Sequence, residues 1–168
     1  LARVEPAQDI FCDALRLGVA PWLDDVHLYL GCRAGTGALD VRAPLDAVWR
    51  AYTNPDDILQ WNAASDDWHT TRATVDLRPG GAFCSRMEAR DGSFGFDFEG
   101  TYTRVEPQRL IEYAFGDRHA TVSFDEGPGG VHVRVVFDAE QTHTPEQQRE
   151  GWQAILDRFQ RHVEAGRR

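Results

Sequence analysis

Asp66, Asp67 and His69 fall within four positions of one another, and their side chains are of the kinds that bind metal ions or pass protons. They sit in the connector Trp61-Asn62-Ala63-Ala64-Ser65-Asp66-Asp67-Trp68-His69. As metal ligands they are incomplete. Carboxylates adjacent in sequence point apart unless the loop bends them together, and neither the other histidines nor Cys12, Cys32 and Cys84 supply a CxxC pair or a zinc-ligand spacing. No metal and no cofactor is therefore expected. As an acid–base set, His69 or Asp67 would handle a proton for a bound substrate. The plainer alternative is a turn in which Ser65 and the aspartates cap backbone groups while Trp61 and Trp68 tuck inward. His69 is the first choice for a polar group in a pocket.

Other chemistry finds less support. There is no Gly-x-Ser-x-Gly elbow, and neither Ser85 nor Ser123 has a base evident in the sequence. Gly127-Pro128-Gly129-Gly130 lacks the Lys-Ser/Thr ending of a phosphate loop and suits a hairpin turn. Alternation puts Arg86 and Glu88 on the outward face of a strand, as a surface pair. It puts His119, His132 and His143 at strand ends or on the wet face, in contact with water. The stronger signal is aromatic. Phe83, Met87, Phe94, Phe96, Phe98, Tyr102, Tyr113, Phe115, Trp152 and Phe159 all fall on positions expected to face one interior. They either interlock as core or wall a site for an apolar ligand.

The elements that must position these residues follow from periodicity. A long helix is predicted from Thr144 to about Val163. Thr144 and Gln147 form a capping box, Pro145 takes the first helical position, and Glu146 complements the helix dipole. Trp152, Ile155, Leu156, Phe159 and Val163 make one stripe, with Arg149, Asp157, Gln160, Arg161 and Glu164 facing away. At about 1.5 Å per residue this helix spans roughly 30 Å. Ala38–Ala43 reads as a short strand ended by Pro44, followed by a helix over Leu45–Tyr52 and a further helical turn over Asp56–Trp61. Strands are then predicted around Ala73–Leu77, Phe83–Met87, Phe94–Tyr102, Ile111–Phe115, Ala120–Phe124 and Val131–Phe137, separated by turns such as Pro79-Gly80-Gly81 and Asp91-Gly92. Each is apolar on one side only, the pattern of an antiparallel sheet with one wet face. The fold class is α+β: a curved antiparallel sheet of about six to seven strands around a long C-terminal helix, with two short helices after the first strand.

Residues 1–37 are read as an N-terminal appendage and 38–168 as the folded domain. Within the appendage, a short helix after Glu5-Pro6 stops at Gly18, Pro21–Leu30 is a helix or a strand, and Gly31, Gly35 and Gly37 form a loose linker. The 168 residues carry 42% hydrophobic residues and a formal net charge of −9, which suits a single domain with a substantial core. That acidity disfavours binding to nucleic acid or to an anionic membrane surface. No apolar run reaches the roughly 20 residues of a membrane span, and the three scattered cysteines suit reduced thiols rather than a Cys12–Cys32 bridge. A soluble cytoplasmic protein is expected, with a homodimer left open.

The order of these motifs resembles the helix-grip fold of the START and birch-pollen-allergen-like (SRPBCC) superfamily. More closely, it is similar to the bacterial branch of the family named for the activator of the heat-shock-protein-90 ATPase homologue. The resemblance is carried by residues 43–55 (Ala43-Pro44 through Asn54-Pro55), Gln60-Trp61-Asn62 and the strand–Gly-Gly–strand turn from Asp76 to Phe83. Phe98-Glu99-Gly100-Thr101-Tyr102, the stretch Pro107 to Tyr113 and Gly151-Trp152 through Leu156 complete it. It covers about residues 38–165. The chain departs from the family pattern at Gly35 and Gly37, where members carry a longer alternating first strand.

The resemblance implies a cavity between helix and sheet that takes sterols, lipids, flavonoids or polyketides, a few members being cyclases or hydrolases. A dry void of roughly 300 Å³ would cost on the order of 7 kcal/mol, comparable with the whole stability of a domain. The pocket is therefore expected to be small or divided, suited to a flat apolar molecule stacked on rings. Its expected lining is Trp61, Trp68, His69, Phe83, Met87, Phe96, Phe98, Tyr102, Tyr113, Trp152, Ile155 and Phe159. The expected function is binding of a small hydrophobic or aromatic molecule, more a binder than an enzyme. The alternatives are a cyclase or hydratase working through His69 or Asp67, and a co-chaperone-like module that binds a protein partner.

Overall fold

The computed structural model describes residues 34–140 and 142–166. The expectations for the segments after Glu5 and Pro21, for Gly31 and for a Cys12–Cys32 bridge lie outside the described residues. Strand β1 (Ala34–Val41) leads into helices α1 (Leu45–Thr53) and α2 (Pro55–Trp61). Six strands follow: β2 (Trp68–Val75), β3 (Ala82–Ala89), β4 (Gly95–Glu106), β5 (Leu110–Phe115), β6 (Arg118–Gly127) and β7 (Gly130–Asp138). Helix α3 (Pro145–Ala165) closes the chain. The strands form one antiparallel sheet in the order β1-β7-β6-β5-β4-β3-β2, so the α1–α2 pair carries the chain from one edge of the sheet to the other. This is the α+β helix-grip architecture predicted.

Local signals account for the ends of the helices. Asn54 stops α1 and caps α2, its side-chain oxygen accepting from the Asp56 N–H at 3.0 Å, with Pro55 at the first helical position. Thr144 caps α3 through the Gln147 N–H, and the Gln147 side chain accepts from the Thr144 N–H at 3.0 Å, closing the capping box. Ile155, Leu156, Phe159 and Val163 of α3 are buried as predicted, and Trp152 is half-buried.

The polar face of α3 departs from expectation. Asp157 and Arg161 face water, but Gln160 and Glu164 are half-buried against β1. The Gln160 amide donates to the Asp40 carbonyl at 2.7 Å, and Glu164 accepts from the Arg42 N–H at 3.0 Å. Gln153, one side of the same helix further back, both accepts from the Ala38 N–H and donates to the Ala38 carbonyl, each at 3.3 Å. His143 also differs: it is buried, not solvated, and lies 2.7 Å from Glu140 in the turn before α3.

Strand β1 begins four residues before the predicted start, so Gly35 and Gly37 are not a linker. They are strand positions where a second element comes too close for a side chain. A Cβ on Gly35 would stand 2.1 Å from the ring of Phe137, and one on Gly37 would stand 3.0 Å from Leu156 Cδ1 of α3. The Phe137 ring lies over Gly35 and stacks on Trp152, centroids 5.0 Å apart. Bulges interrupt the register at Thr71 in β2 and Thr103 in β4. Each inserts one residue, bends the strand and switches which parity faces the core. The reading of Gly35 makes a direct test. Gly35→Val should lower the unfolding free energy, measured by denaturant titration, by on the order of 2 kcal/mol through overpacking against Phe137. A change within about 0.5 kcal/mol would be what an exposed linker gives.

Candidate functional site

The inward face of the sheet is built by alternation. In β3, Phe83, Ser85 and Met87 point inward, and in β5 Ile111, Tyr113 and Phe115 do. Strand β4 contributes Phe96, half-buried Phe98 and Tyr102, with Gly100 between the last two. Gly100 is a close approach: a Cβ there would stand 2.3 Å from the Ala114 carbonyl oxygen and 2.7 Å from the Phe83 ring. Its bare backbone lets Phe83 lie across β4, where it meets Phe98, Tyr102 and Tyr113 at centroid distances of 5.7, 5.2 and 5.1 Å.

Helix α3 makes its closest backbone approach to β1, α1 and α2. Over β3–β5 it stands off, and a cavity of about 80 Å³ opens there. Its lining comes from Tyr52 of α1, Ile58 and Trp61 of α2, Asn62, β3–β5, and Trp152, Ile155 and Leu156 of α3. The walls are mostly rings and branched aliphatic chains. The polar groups among them are the hydroxyls of Tyr52, Tyr102, Tyr113 and Ser85, the Asn62 amide and the indole N–H groups of Trp61 and Trp152; no lining side chain carries a charge. Trp61 is fixed by its own hydrogen bond, the indole N–H donating to the Ala51 carbonyl at 2.9 Å.

Eight of the residues expected from sequence line this cavity: Trp61, Phe83, Met87, Phe98, Tyr102, Tyr113, Trp152 and Ile155. Four do not. Phe159 is fully buried behind it, its ring against Tyr52 and Trp61. Trp68 and Phe96 pack with Ala63 and Met87 in a separate small cluster. Phe94, expected on the inner face, lies at the hairpin tip just ahead of β4 and is 39% exposed beside Trp68. His69 is a correction of a different kind. It belongs to β2, not to a connector, and its neighbours Trp68 and Thr70 are the ones that turn inward. His69 therefore faces outward, paired in register with Glu88, which makes the expected surface pair with Arg86 at 2.9 Å.

Asp66 and Asp67 are also outside the cavity. Both are exposed; Asp66 pairs with Arg158 of α3, and the Asp67 carbonyl accepts from the Arg90 N–H at 2.8 Å. Among the described residues, no cluster of three His, Cys, Asp or Glu side chains is arranged to hold a metal ion. Six lining residues were missed: Tyr52, Ile58, Asn62, Ser85, Ile111 and Leu156. Parity was the available signal for Ser85 and Ile111, since each alternates with a residue already assigned inward.

Burial governs the phenols. It pushes the Tyr102 hydroxyl up to about 12 from an ordinary 10.0. Tyr52 and Tyr113 are raised further, by burial first and then by repulsion from the other ionised phenols of the group. A raised phenol holds its proton more tightly when folded than when unfolded. The associated stability is complete below about pH 10 and is lost as pH rises through and above that value. In a pH titration watched by tyrosinate absorbance, Tyr52, Tyr102 and Tyr113 should stay protonated until the chain unfolds, then ionise together. Gradual ionisation of all four tyrosines with helical circular dichroism intact would contradict this burial.

Comparison with known proteins agrees with the geometry. The family model for Activator of Hsp90 ATPase homolog 1-like protein matches residues 42–164. An AHSA1-like protein from Aeromonas hydrophila is 49% identical, with TM-score 0.76 over 79% of this chain and 93% of that one. A protein from Cytophaga hutchinsonii is 37% identical, with TM-score 0.67 over 80% and 93%. A Nitrosomonas europaea protein at 17% identity shares the fold, TM-score 0.69 over 80% and 96%. No protein with a curated description matches the chain. With the family model spanning most of the described residues, the chain belongs to the Activator of Hsp90 ATPase homolog 1-like family.

Proposed function

We propose that this protein binds a small hydrophobic or aromatic molecule, of the lipid, polyketide or flavonoid class, between α3 and strands β3–β5. The observation that carries this is the cavity itself: about 80 Å³, walled by aromatic and aliphatic side chains, with a few polar groups set among them. The void is small beside the roughly 300 Å³ at which ordinary ligand pockets begin. A ligand of that class would therefore place one ring inside and extend outward past the half-buried Phe98 and Trp152. We place this activity in the cytoplasm, on the scattered cysteines and the acidic composition. No helix among the described residues is long and apolar enough to cross a membrane.

The cyclase or hydratase alternative loses the residues it named, because His69 and Asp67 do not line the cavity. Binding is tested by titrating flavonoids, sterols and fatty acids while following tryptophan fluorescence and melting temperature. At least one class should quench Trp61 or Trp152 emission and raise the melting temperature. Ile155→Phe, which puts a larger side chain into the void, should abolish that response without lowering the melting temperature of the free protein. No shift with any class would remove the proposal.

A further inference from the structure

Three tyrosines reach the cavity from two sides. Tyr52 comes from α1, while Tyr102 and Tyr113 stand directly opposite each other on β4 and β5. Their rings are held by other rings. Tyr52 stacks on Trp61 at 5.4 Å and meets Phe124 and Phe159 edge-on, and Tyr102 and Tyr113 both rest on Phe83. Tyr102 and Tyr113 are 8% and 6% exposed, and the inward-facing Ser85 is 7% exposed. Among the described residues, Ser65 Oγ is the only side-chain polar atom sealed inside protein with no hydrogen bond. The three phenolic oxygens are instead open to the cavity, and none makes a hydrogen bond to another described residue.

The chemistry of that set selects a ligand. At neutral pH the phenols are protonated, so each offers a donor. A hydrocarbon seated there would leave those donors unpaired at about 1–3 kcal/mol each. A carboxylate or an amine would bring a charge into a cavity with no charged lining side chain to compensate it. A neutral carbonyl oxygen has two lone pairs, needs no counter-charge, and sits in the plane of a ring that the aromatic walls can sandwich.

We infer that the cavity recognises a planar, uncharged aromatic ketone, whose carbonyl oxygen accepts hydrogen bonds from Tyr102 and Tyr113, the pair that stands opposite across β4 and β5, one to each lone pair. This rests on the binding proposal above and adds to it the polar end of the ligand. The test uses one-ring probes suited to a small void: acetophenone, ethylbenzene and benzoate, titrated into the full chain by calorimetry. Acetophenone should bind at least about 10-fold more tightly than ethylbenzene, the yield of two neutral hydrogen bonds. Benzoate should bind no better than ethylbenzene. The infrared carbonyl stretch of bound acetophenone should move to lower frequency than in hydrocarbon solvent. Tyr102→Phe and Tyr113→Phe should each reverse part of that shift and reduce acetophenone affinity, while ethylbenzene affinity rises, because a donor it leaves unpaired is gone.

Equal affinity for acetophenone and ethylbenzene would overturn the carbonyl inference while leaving apolar binding intact. Tighter binding of benzoate would overturn the requirement for a neutral ligand. Binding of none of the three, with flavonoids, sterols and fatty acids also silent, would overturn both proposals. Should a tyrosine variant fail to fold, the carbonyl frequency in the unaltered protein still decides, since an unshifted stretch means that no donor meets the oxygen.

Discussion

Helix α3 is fastened to the open edge of β1, and the rest of the architecture follows from that attachment. An edge strand presents unpaired backbone groups, which proteins pair, cover or charge. Here side chains do the pairing. Gln153 serves the N–H and the carbonyl of Ala38 as a neighbouring strand would, Gln160 serves the Asp40 carbonyl, and Glu164 serves the Arg42 N–H. The geometry is commensurate: four helical residues rise about 6 Å, and two strand residues rise about 6.6 Å, so Gln160 and Glu164 meet Asp40 and Arg42 in step. Gly35 and Gly37 complete the fit by admitting Phe137 and Leu156 where a side chain would hold them off. Further ties at the other side of α3, His162 to Asp57 at 2.8 Å and Arg158 to Asp66, bring α2 and its following loop against the same helix.

A helix held at one edge cannot also lie flat on the far half of a seven-stranded curved sheet. Strands β3–β5 must be covered by something longer than ordinary aliphatic chains, and Phe83, Phe98, Tyr102, Tyr113 and Trp152 provide that reach. They do not close the space fully. At about 24 cal/mol per Å³, the remaining 80 Å³ costs about 2 kcal/mol, against the 5–15 kcal/mol by which a domain is typically stable. A void of this size is compatible with a folded protein holding nothing, whereas one several times larger would not be. The rings therefore both narrow the cavity to a tolerable size and supply its walls.

Much of this was legible because it is local. The capping box at Thr144 and Gln147, the break at Asn54-Pro55 and the two-residue alternation of β3 to β7 each depend on residues close together in the chain. What escaped depends on residues far apart. Nothing near Gly35 or Gly37 announces Phe137 or Leu156, so two glycines in a row of small residues look like a linker. The bulges at Thr71 and Thr103 leave no mark in composition, yet each switches the parity of its strand. His69 was misplaced because its strand begins at Trp68: once Trp68 turns inward, its neighbour must turn out. Tyr52 ends the helix predicted over Leu45–Tyr52, but whether its ring meets core or cavity depends on where α3 stands, and no local pattern carries that information.

The hydroxyls separate a cavity with a purpose from an imperfectly filled core. Phe is nearly equal in volume to Tyr, and this core already uses it at Phe83, Phe98, Phe115, Phe124 and Phe159, among the same rings. Three phenols at Tyr52, Tyr102 and Tyr113 gain no packing over phenylalanine and surrender hydrogen bonds to water on burial. Where a buried tyrosine serves the fold, its oxygen ordinarily finds a protein partner. Here three such oxygens face one small space and bond to no described residue, although Trp61 beside them is satisfied by a backbone carbonyl. A packing defect would be expected to be apolar, as dry cavities are. Polar atoms gathered where the helix stands off the sheet are costly to stability and become favourable only when an acceptor enters. That asymmetry is a property of a site, and it follows from the chain's own choice of tyrosine over phenylalanine at positions whose shape would accept either.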